Sequence, residues 1–387
     1  ATYSYKDTYL VEGNLGYTGS ENFNKERRYG WFPSISGGWV PTQYDWYRNL
    51  LPFNNFLKFR ASWGRVGNDR LKDENGNDIR FPYLTTLGNV SSTWGTGLAE
   101  NRTGSMNLKW EVSTKTNFGI DARFFDDKVD MTVDFFHTKT TDIFQRRANI
   151  PDEGGLSNVL PYANIGSMKS WGMDGTLAFT VRGNFTHAEN EVIYWEQSGV
   201  NYPYQSNSGV PYKVQRGLIA LGLFKDEDDI KSSPKQTFMD NYRPGDIKYK
   251  DVNGDGKIDK DDVVPLNYSA VPFIQYGFAL DWNYKAFRVS ILFEGVSKVQ
   301  YFQGGRGFYP FLNESRGNLL EMVADPRNRW IPREYAEANG IDPALAENPN
   351  AKFPRLTYGE NKNNNQESTF WLADGKYLRL KNVDVSY

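Results

Sequence analysis

The chain has 387 residues, with 45 Lys and Arg against 47 Asp and Glu; the net charge of −2 leaves no basic field for nucleic acid. Cysteine is absent, which removes disulfides, thiolate metal sites and a thiol nucleophile. Mean hydropathy is −0.65 and no run comes near the roughly 18 apolar residues of a membrane helix, yet 25 Phe, 24 Tyr and 11 Trp are present, a mixture that suits strands apolar on alternate residues only.

Along the chain, Leu57, Phe59, Ala61 and Trp63 form the first apolar stripe, opposite Lys58, Arg60 and Ser62. Phe118, Ile120, Ala122 and Phe124 then share one parity and Asn117, Gly119, Asp121 and Arg123 the other. Asp126-Asp127 turns the chain into Val129, Met131, Val133 and Phe135, which alternate with Asp130, Thr132 and Asp134. Each arm of this hairpin reaches the roughly 9–11 residues that cross a bilayer as a tilted strand. Gly166–Asp174 begins another strand and Val181–Phe185 a further one. The stretch Gly175–Thr180 looks too short to finish one, turn and begin the next, which predicts that residues are missing there.

A second clear hairpin places Phe278, Leu280, Trp282 and Tyr284 against Phe287, Val289, Ile291 and Phe293, with Lys285-Ala286 as its turn. In the last segment Leu378 and Leu380 lie on one parity and Val383, Val385 and Tyr387 on the other, which predicts a β-bulge near Lys381-Asn382. Residues 196–268 and 301–376 are rich in Asn, Pro, Gly and charge. Such long connections beside short turns are expected of a transmembrane barrel with extracellular loops. Pro332–Asn339 reads as a short surface helix stopped by Gly340. Charged residues opposite each apolar stripe fit a wet lumen, and equally a soluble sheet with one solvated face.

The twelve residues Asp251–Asp262 fit a calcium loop. Asp251, Asn253 and Asp255 take positions 1, 3 and 5, Gly256 the turn at 6, and Lys257 offers its carbonyl at 7. Asp259 stands at 9, and Asp262 at 12, where the usual residue is Glu. No amphipathic helix precedes the loop, and the bland reading is a turn stabilised by Asx and Gly. Only His137 and His187 are available for histidine chemistry, and no carboxylate spacing favours a glycosidase pair, so no catalytic residue is expected. Tyr202, Tyr204, Phe308 and Tyr309 could stack on sugar rings or pack their own loops.

Several separated phrases, in their order, resemble the SusC/RagA family of TonB-dependent outer-membrane transporters. They are DTYLVEGNLGYTGSENFNKERRYGWFPSISGGWV (7–40), LKFRASWGRVGND (57–69), NLKWEVSTKTNFGIDARFF (107–125), NIGSMKSWGMDG (164–175), PGDIKYKDVNGDGKID (244–259) with YGFALDWNYKAFRVSILFEG (276–295), DPRNRWIPREY, AKFPRL and NNNQESTFWLADGKYLRLKNVDVSY. The family's Lys-Gly turn reads Lys285-Ala286 here. The resemblance implies an all-β fold, with residues 1–387 as part of an antiparallel transmembrane β-barrel of about 22 strands. It implies import of oligosaccharides or peptides, a SusD-like surface lipoprotein over the barrel, energy from the TonB complex through a plug, and contact with outer-membrane lipid. No plug, TonB-contact segment or signal peptide is expected in this chain, nor strands after Tyr387. The alternative is a soluble, secreted β-sandwich that binds glycans beside a calcium-stabilised loop. Ca²⁺ is the one expected cofactor.

Overall fold

A computed structural model describes the chain except residues 73–75, 93–94, 151–159, 179–180, 285–286, 306, 313–318 and 387. Its backbone is one antiparallel meander of eleven strands, each paired to the next in chain order. These are β1 (Thr2–Tyr5), β2 (Tyr9–Gly19), β3 (Tyr29–Trp39), β4 (Asn54–Asn68), β5 (Glu111–Phe124), β6 (Val129–Arg146), β7 (Tyr162–Ala178), β8 (Val181–Tyr194), β9 (Ile274–Tyr284), β10 (Phe287–Ser297) and β11 (Tyr377–Ser386). Among the described residues no helix is long and apolar enough to cross a membrane.

The period-2 patterns set the register. On β5 and β6, Phe124 pairs with Val129, Ala122 with Met131, Ile120 with Val133 and Phe118 with Phe135, so both apolar stripes fall on one face. β4 continues it, with Phe59 opposite Ile120 and Ala61 opposite Phe118. The turn comprises Phe125–Lys128, with Phe125, Asp126 and Asp127 all at positive φ. Asn55 holds it: Asp126 N donates to Asn55 Oδ1 at 2.8 Å. The second hairpin forms as expected, with Phe278 opposite Phe293 and Leu280 opposite Ile291, while its Lys285-Ala286 turn lies outside the described residues. The bulge also forms. Leu292 pairs with Asn382 and Phe293 with Leu380, so Lys381 is the extra residue. It returns Leu378, Leu380, Val383 and Val385 to a single face.

Of the stretch Gly175–Thr180, where the sequence predicts missing residues, Gly175–Ala178 continue β7, and Phe179 and Thr180 lie outside the described residues. β7 pairs continuously with β8 from Met168–Val192 to Ala178–Arg182. The strand is long because it begins at Tyr162, well before the point the sequence pattern suggests.

The apolar face stays uncovered: Leu15, Trp31, Ile35, Phe118, Phe135, Trp282 and Val385 are all exposed. A sandwich would bury this face under a second sheet; among the described residues none is packed there. Aromatic groups edge the stripe. Tyr17 stands with Tyr29 and Trp31, with ring centroids at 5.1 and 4.5 Å, toward one end. Tyr9 pairs with Trp39, which stacks on Phe59 at 5.7 Å, toward the other. Such girdles mark the two interfaces of a membrane barrel. Past the stripe, charged pairs take over the same face: Lys169–Glu191 at 2.6 Å, and Glu189 with His187 at 2.9 Å and Lys298 at 3.0 Å. His137, opposite Trp171, sits at this boundary.

The connections are asymmetric. Those after β1, β3, β5, β7 and β9 lie at one end and are short, apart from residues 40–53 after β3. Those after β2, β4, β6, β8 and β10 lie at the other and include the long stretches 195–273 and 298–376. These two are not open loops. Leu218, Leu223, Ile247, Tyr249 and Ile258 from the first pack with Tyr309, Val323, Trp330, Phe353 and Trp371 from the second in one buried cluster. The expected helix is present as Arg333–Ala338, with Pro332 as its N-cap and Gly340 at φ +64° behind it.

Candidate functional site: the polar face and the outer loop unit

The face opposite the apolar stripe carries ion pairs that span neighbouring strands. Arg60 on β4 donates from Nε to Asp121 on β5 at 3.0 Å and from Nη2 to Asp134 on β6 at 2.6 Å. On β8 and β9, Arg182 donates to Asp281 at 2.7 Å, with Arg288 of β10 at 3.8 Å from the same carboxylate. Glu294 of β10 is held by both Arg379 and Lys381 of β11. The bulge brings this about, because the extra residue lets two cations on one strand face one carboxylate. These clusters leave each of the carboxylates Asp121, Asp134, Asp281 and Glu294 with a cation beside it on the polar face.

The unit formed by the two long connections is knitted around Asp246, which has no exposed surface. Its Oδ1 accepts from Asn361 Nδ2 at 2.9 Å and Asn364 Nδ2 at 2.8 Å. Its Oδ2 accepts from the Arg243 backbone N at 2.7 Å and Arg355 Nη2 at 3.0 Å. Neutral amides, a backbone N–H and one guanidinium thus compensate a carboxylate that would otherwise be costly to bury. The neighbouring strand is read the same way. Ile247 N donates to Asn364 Oδ1, and Gln236 bridges Ile247 O, Asn363 Oδ1 and Tyr249 N. Gly245, at φ +85°, lies so close to Trp330 that a Cβ would meet Cδ2 at 2.3 Å. The phrases PGDI, FPRL and NNN, far apart in the chain, therefore meet at one junction. Burial pushes the Tyr249 phenol well above its ordinary value and Tyr309 up to about 12. An open cleft of about 920 Å³ adjoins this junction, and its lining includes Lys225, Arg243, Arg329, Asp226, Glu227 and Glu347.

The six residues expected to hold calcium stand together in one exposed loop of this unit. Asp251 accepts from Gly254 N at 2.7 Å and Gly256 N at 2.9 Å, both glycines at positive φ. Asn253 Oδ1 accepts from Asp255 N, and Asp255 Oδ1 from Lys257 N. Asp262 is buried and closes the loop by accepting from Val252 N and Asp259 N. Lys257 Nζ lies 2.6 Å from Asp259 and 3.5 Å from Asp255, and this ammonium holds the Asp259 carboxyl below its usual range. Among the described residues no three Asp, Glu or His side chains surround a common point suited to a metal. The donors are nonetheless hard oxygens, and Asp255 keeps its exposure, so the residue types fit a hard cation.

The loop aromatics pack their own unit. Tyr202 and Tyr204 stack at 5.4 Å, with Tyr204 Oη donating to Asp261 O, and Tyr309 packs edge-on against Trp371. The Asp246 junction could not be found from spacing, since its side-chain partners lie more than a hundred residues away in the chain.

Comparison with known proteins agrees with this geometry. A family model described as TonB dependent receptor-like, beta-barrel matches residues 1–318. The whole chain aligns at 26% identity with TonB-dependent receptor P26 of Formosa agariphila, covering 38% of that protein. It aligns at 25% with TonB-dependent receptor SusC of Bacteroides thetaiotaomicron, covering 37%. The chain thus spans less than two fifths of the length of these relatives. A solved structure of the RagAB peptide transporter matches 99% of the chain and 39% of its own, with TM-score 0.70 and 19% identity, a likeness of fold. The family match takes in every strand from β1 through β10, and the chain belongs to the TonB dependent receptor-like β-barrel family of the outer membrane.

Proposed function

We propose that this chain is the barrel portion of a SusC-like importer that carries oligosaccharides or peptides across the outer membrane. A SusD-like surface lipoprotein would cover its outer end, and the TonB complex would supply energy through a plug domain. The observation that carries this reading is the pairing of a lipid-facing stripe with a charge-paired polar face, under two long loops folded into one outer unit. Transport of this kind opens and closes a path and needs no catalytic side chain. One relative is named TonB-dependent receptor SusC, and the fold neighbour is named a peptide transporter. The cleft of mixed charge beside the partly exposed Tyr335 offers ionic contacts and one ring to a substrate or to the lipoprotein. We also propose that the Asp251–Asp262 loop takes up Ca²⁺, with Asp251, Asn253, Asp255, the Lys257 carbonyl, Asp259 and Asp262 as ligands, and that the ion stiffens the unit.

The test uses the full-length protein in its own host. Deleting the gene should abolish growth on, and uptake of, one labelled oligosaccharide or peptide class. A lipoprotein should copurify with the detergent-extracted protein. An epitope at Tyr358, which is 90% exposed, should be reached by antibody on intact cells. Recovery as a folded monomer without detergent would sink the proposal.

A further inference from the structure

The connection between β3 and β4 is not a simple hairpin. Pro41–Gln43 forms one 3₁₀ turn and Asp45–Leu50 a short α-helix. Trp46 and Leu50 stand one turn apart on this helix and Phe53 follows it, and they are 57%, 68% and 47% exposed. Asp45 precedes them and Arg48 and Asn49 lie between Trp46 and Leu50, on other faces. Tyr47 turns inward, is buried, and accepts from Asn54 Nδ2 at 3.3 Å. The segment is tied down: Arg48 Nε donates to Thr42 O at 2.6 Å, and Leu57 N to Thr42 Oγ1 at 3.4 Å. A fixed segment that presents its aromatic and aliphatic groups outward loses free energy in water with each exposed ring.

Two contacts show what the patch adjoins. Tyr44 Oη donates to Tyr9 Oη at 2.7 Å, and Tyr9 belongs to the girdle at the short-turn end of the lipid-facing stripe. Phe53 stacks on Phe124 at 6.4 Å and Phe125 at 5.9 Å. Phe124 ends the β5 stripe, and Phe125 is itself more than half exposed. The patch therefore continues the lipid-covered face past the strand ends.

We propose that residues 44–53, with Phe125, form a foot seated in the interfacial zone of the phospholipid leaflet at the short-turn end. Amphipathic aromatic rings with a polar rim are the composition favoured at that level. Phospholipid is the occupant because the patch runs on from a surface already in lipid, and a protein there would have to lie within the leaflet edge. The proposal rests on the reading of the chain as an outer-membrane barrel.

The experiment places single spin-labelled cysteines at Asp45, Trp46, Asn49, Leu50 and Phe53 in the full-length protein, with every native cysteine replaced, in phosphatidylethanolamine–phosphatidylglycerol vesicles. Leu15 and Ile35 serve as references on the lipid face and Glu12 on the polar face. Heat modifiability on gels checks assembly of each variant, and Leu50 and Phe53 carry the test if the Trp46 variant does not assemble. Collision with oxygen against a water-soluble nickel chelate reads depth. Labels at 46, 50 and 53 should lie about 5–10 Å below the phosphates, and labels at 45 and 49 at or above them. Water-level readings at 46, 50 and 53 while 15 and 35 report lipid would overturn the foot, as would shielding from both reagents, which would mean a protein covers the patch. Loss of the lipid signal at 15 and 35 would instead bring down the barrel reading itself.

Discussion

Arg60 on β4 reaches Asp134 on β6 at 2.6 Å by crossing the backbone of β5 where Gly119 stands between them. A Cβ on Gly119 would meet the guanidinium carbon at 2.5 Å, so the glycine is the gap through which two strands that do not touch are joined. Gly119→Ala should push the flexible guanidinium aside rather than strain the backbone, and so act like Arg60→Met. Each should cost about 1.5–3 kcal/mol. The double variant should cost little more than either alone, measured by urea unfolding from vesicles. Additive losses would mean the two residues act separately.

The apolar stripe should be intolerant of charge. Ile120→Arg or Val133→Arg should cost roughly 2–4 kcal/mol if near the bilayer midplane. Thr132→Arg, on the polar face, should assemble normally on semi-native gels. Asp121→Arg should not match it, because the new cation would face Arg60 in place of its partner. Equal assembly of the Ile120 and Thr132 variants would refute the face assignment.

The outer unit should depend on the Asp246–Arg355 pair. Arg355→Met leaves a carboxylate without its charge partner in a site closed to water. The loss should be about 3–5 kcal/mol of the unit's stability. Limited proteolysis should then cut within 195–273 and 298–376, while heat modifiability of the barrel stays unchanged. Protection equal to wild type would show that the amides of Asn361 and Asn364 suffice.

The acidic loop should bind Ca²⁺ at the millimolar concentrations found outside cells. Asp251→Ala with Asp255→Ala should remove the ion, read by elemental analysis, and speed protease cutting near 246–265. Without calcium, Lys257 holds the Asp259 carboxyl below its ordinary range. The stability from that pair is then present above the ordinary carboxylate value and is lost as pH falls through the depressed one. Lys257→Met should bring acid opening of the ion-free loop to higher pH. Protein purified in millimolar calcium yet free of the ion would leave the hydrogen-bonded turn as the better account.

The barrel hairpins were legible because lipid on one side and water on the other impose alternation over a whole strand, as at Phe118–Phe124 and Val129–Phe135. Even the bulge at Lys381 shows in the sequence, since an extra residue shifts parity from Leu380 to Val383. The start of β7 at Tyr162 did not show, because the pairing with β6 shifts register around Ile143 and Asn164 turns its side chain to Lys109 and Asp142, which breaks the alternation there. The outer unit was also hidden. Its core residues Ile247, Tyr249, Phe353 and Trp371 follow no period, and the amides that satisfy Asp246 sit in an Asn run that reads as loop. Arg60 and Asp134 needed three strands in register before they could be seen as partners.

One consequence concerns how such outer faces are inherited. Asp246 comes from the connection after β8, while Arg355, Asn361 and Asn364 come from the connection after β10. Neither stretch can be transplanted alone without stranding a buried carboxylate or the groups that answer it. A chimera that exchanges outer faces between relatives must therefore move both, and with them the β9–β10 hairpin that lies between. That membrane hairpin travels as baggage, and drift in either half is coupled to compensating drift in the other.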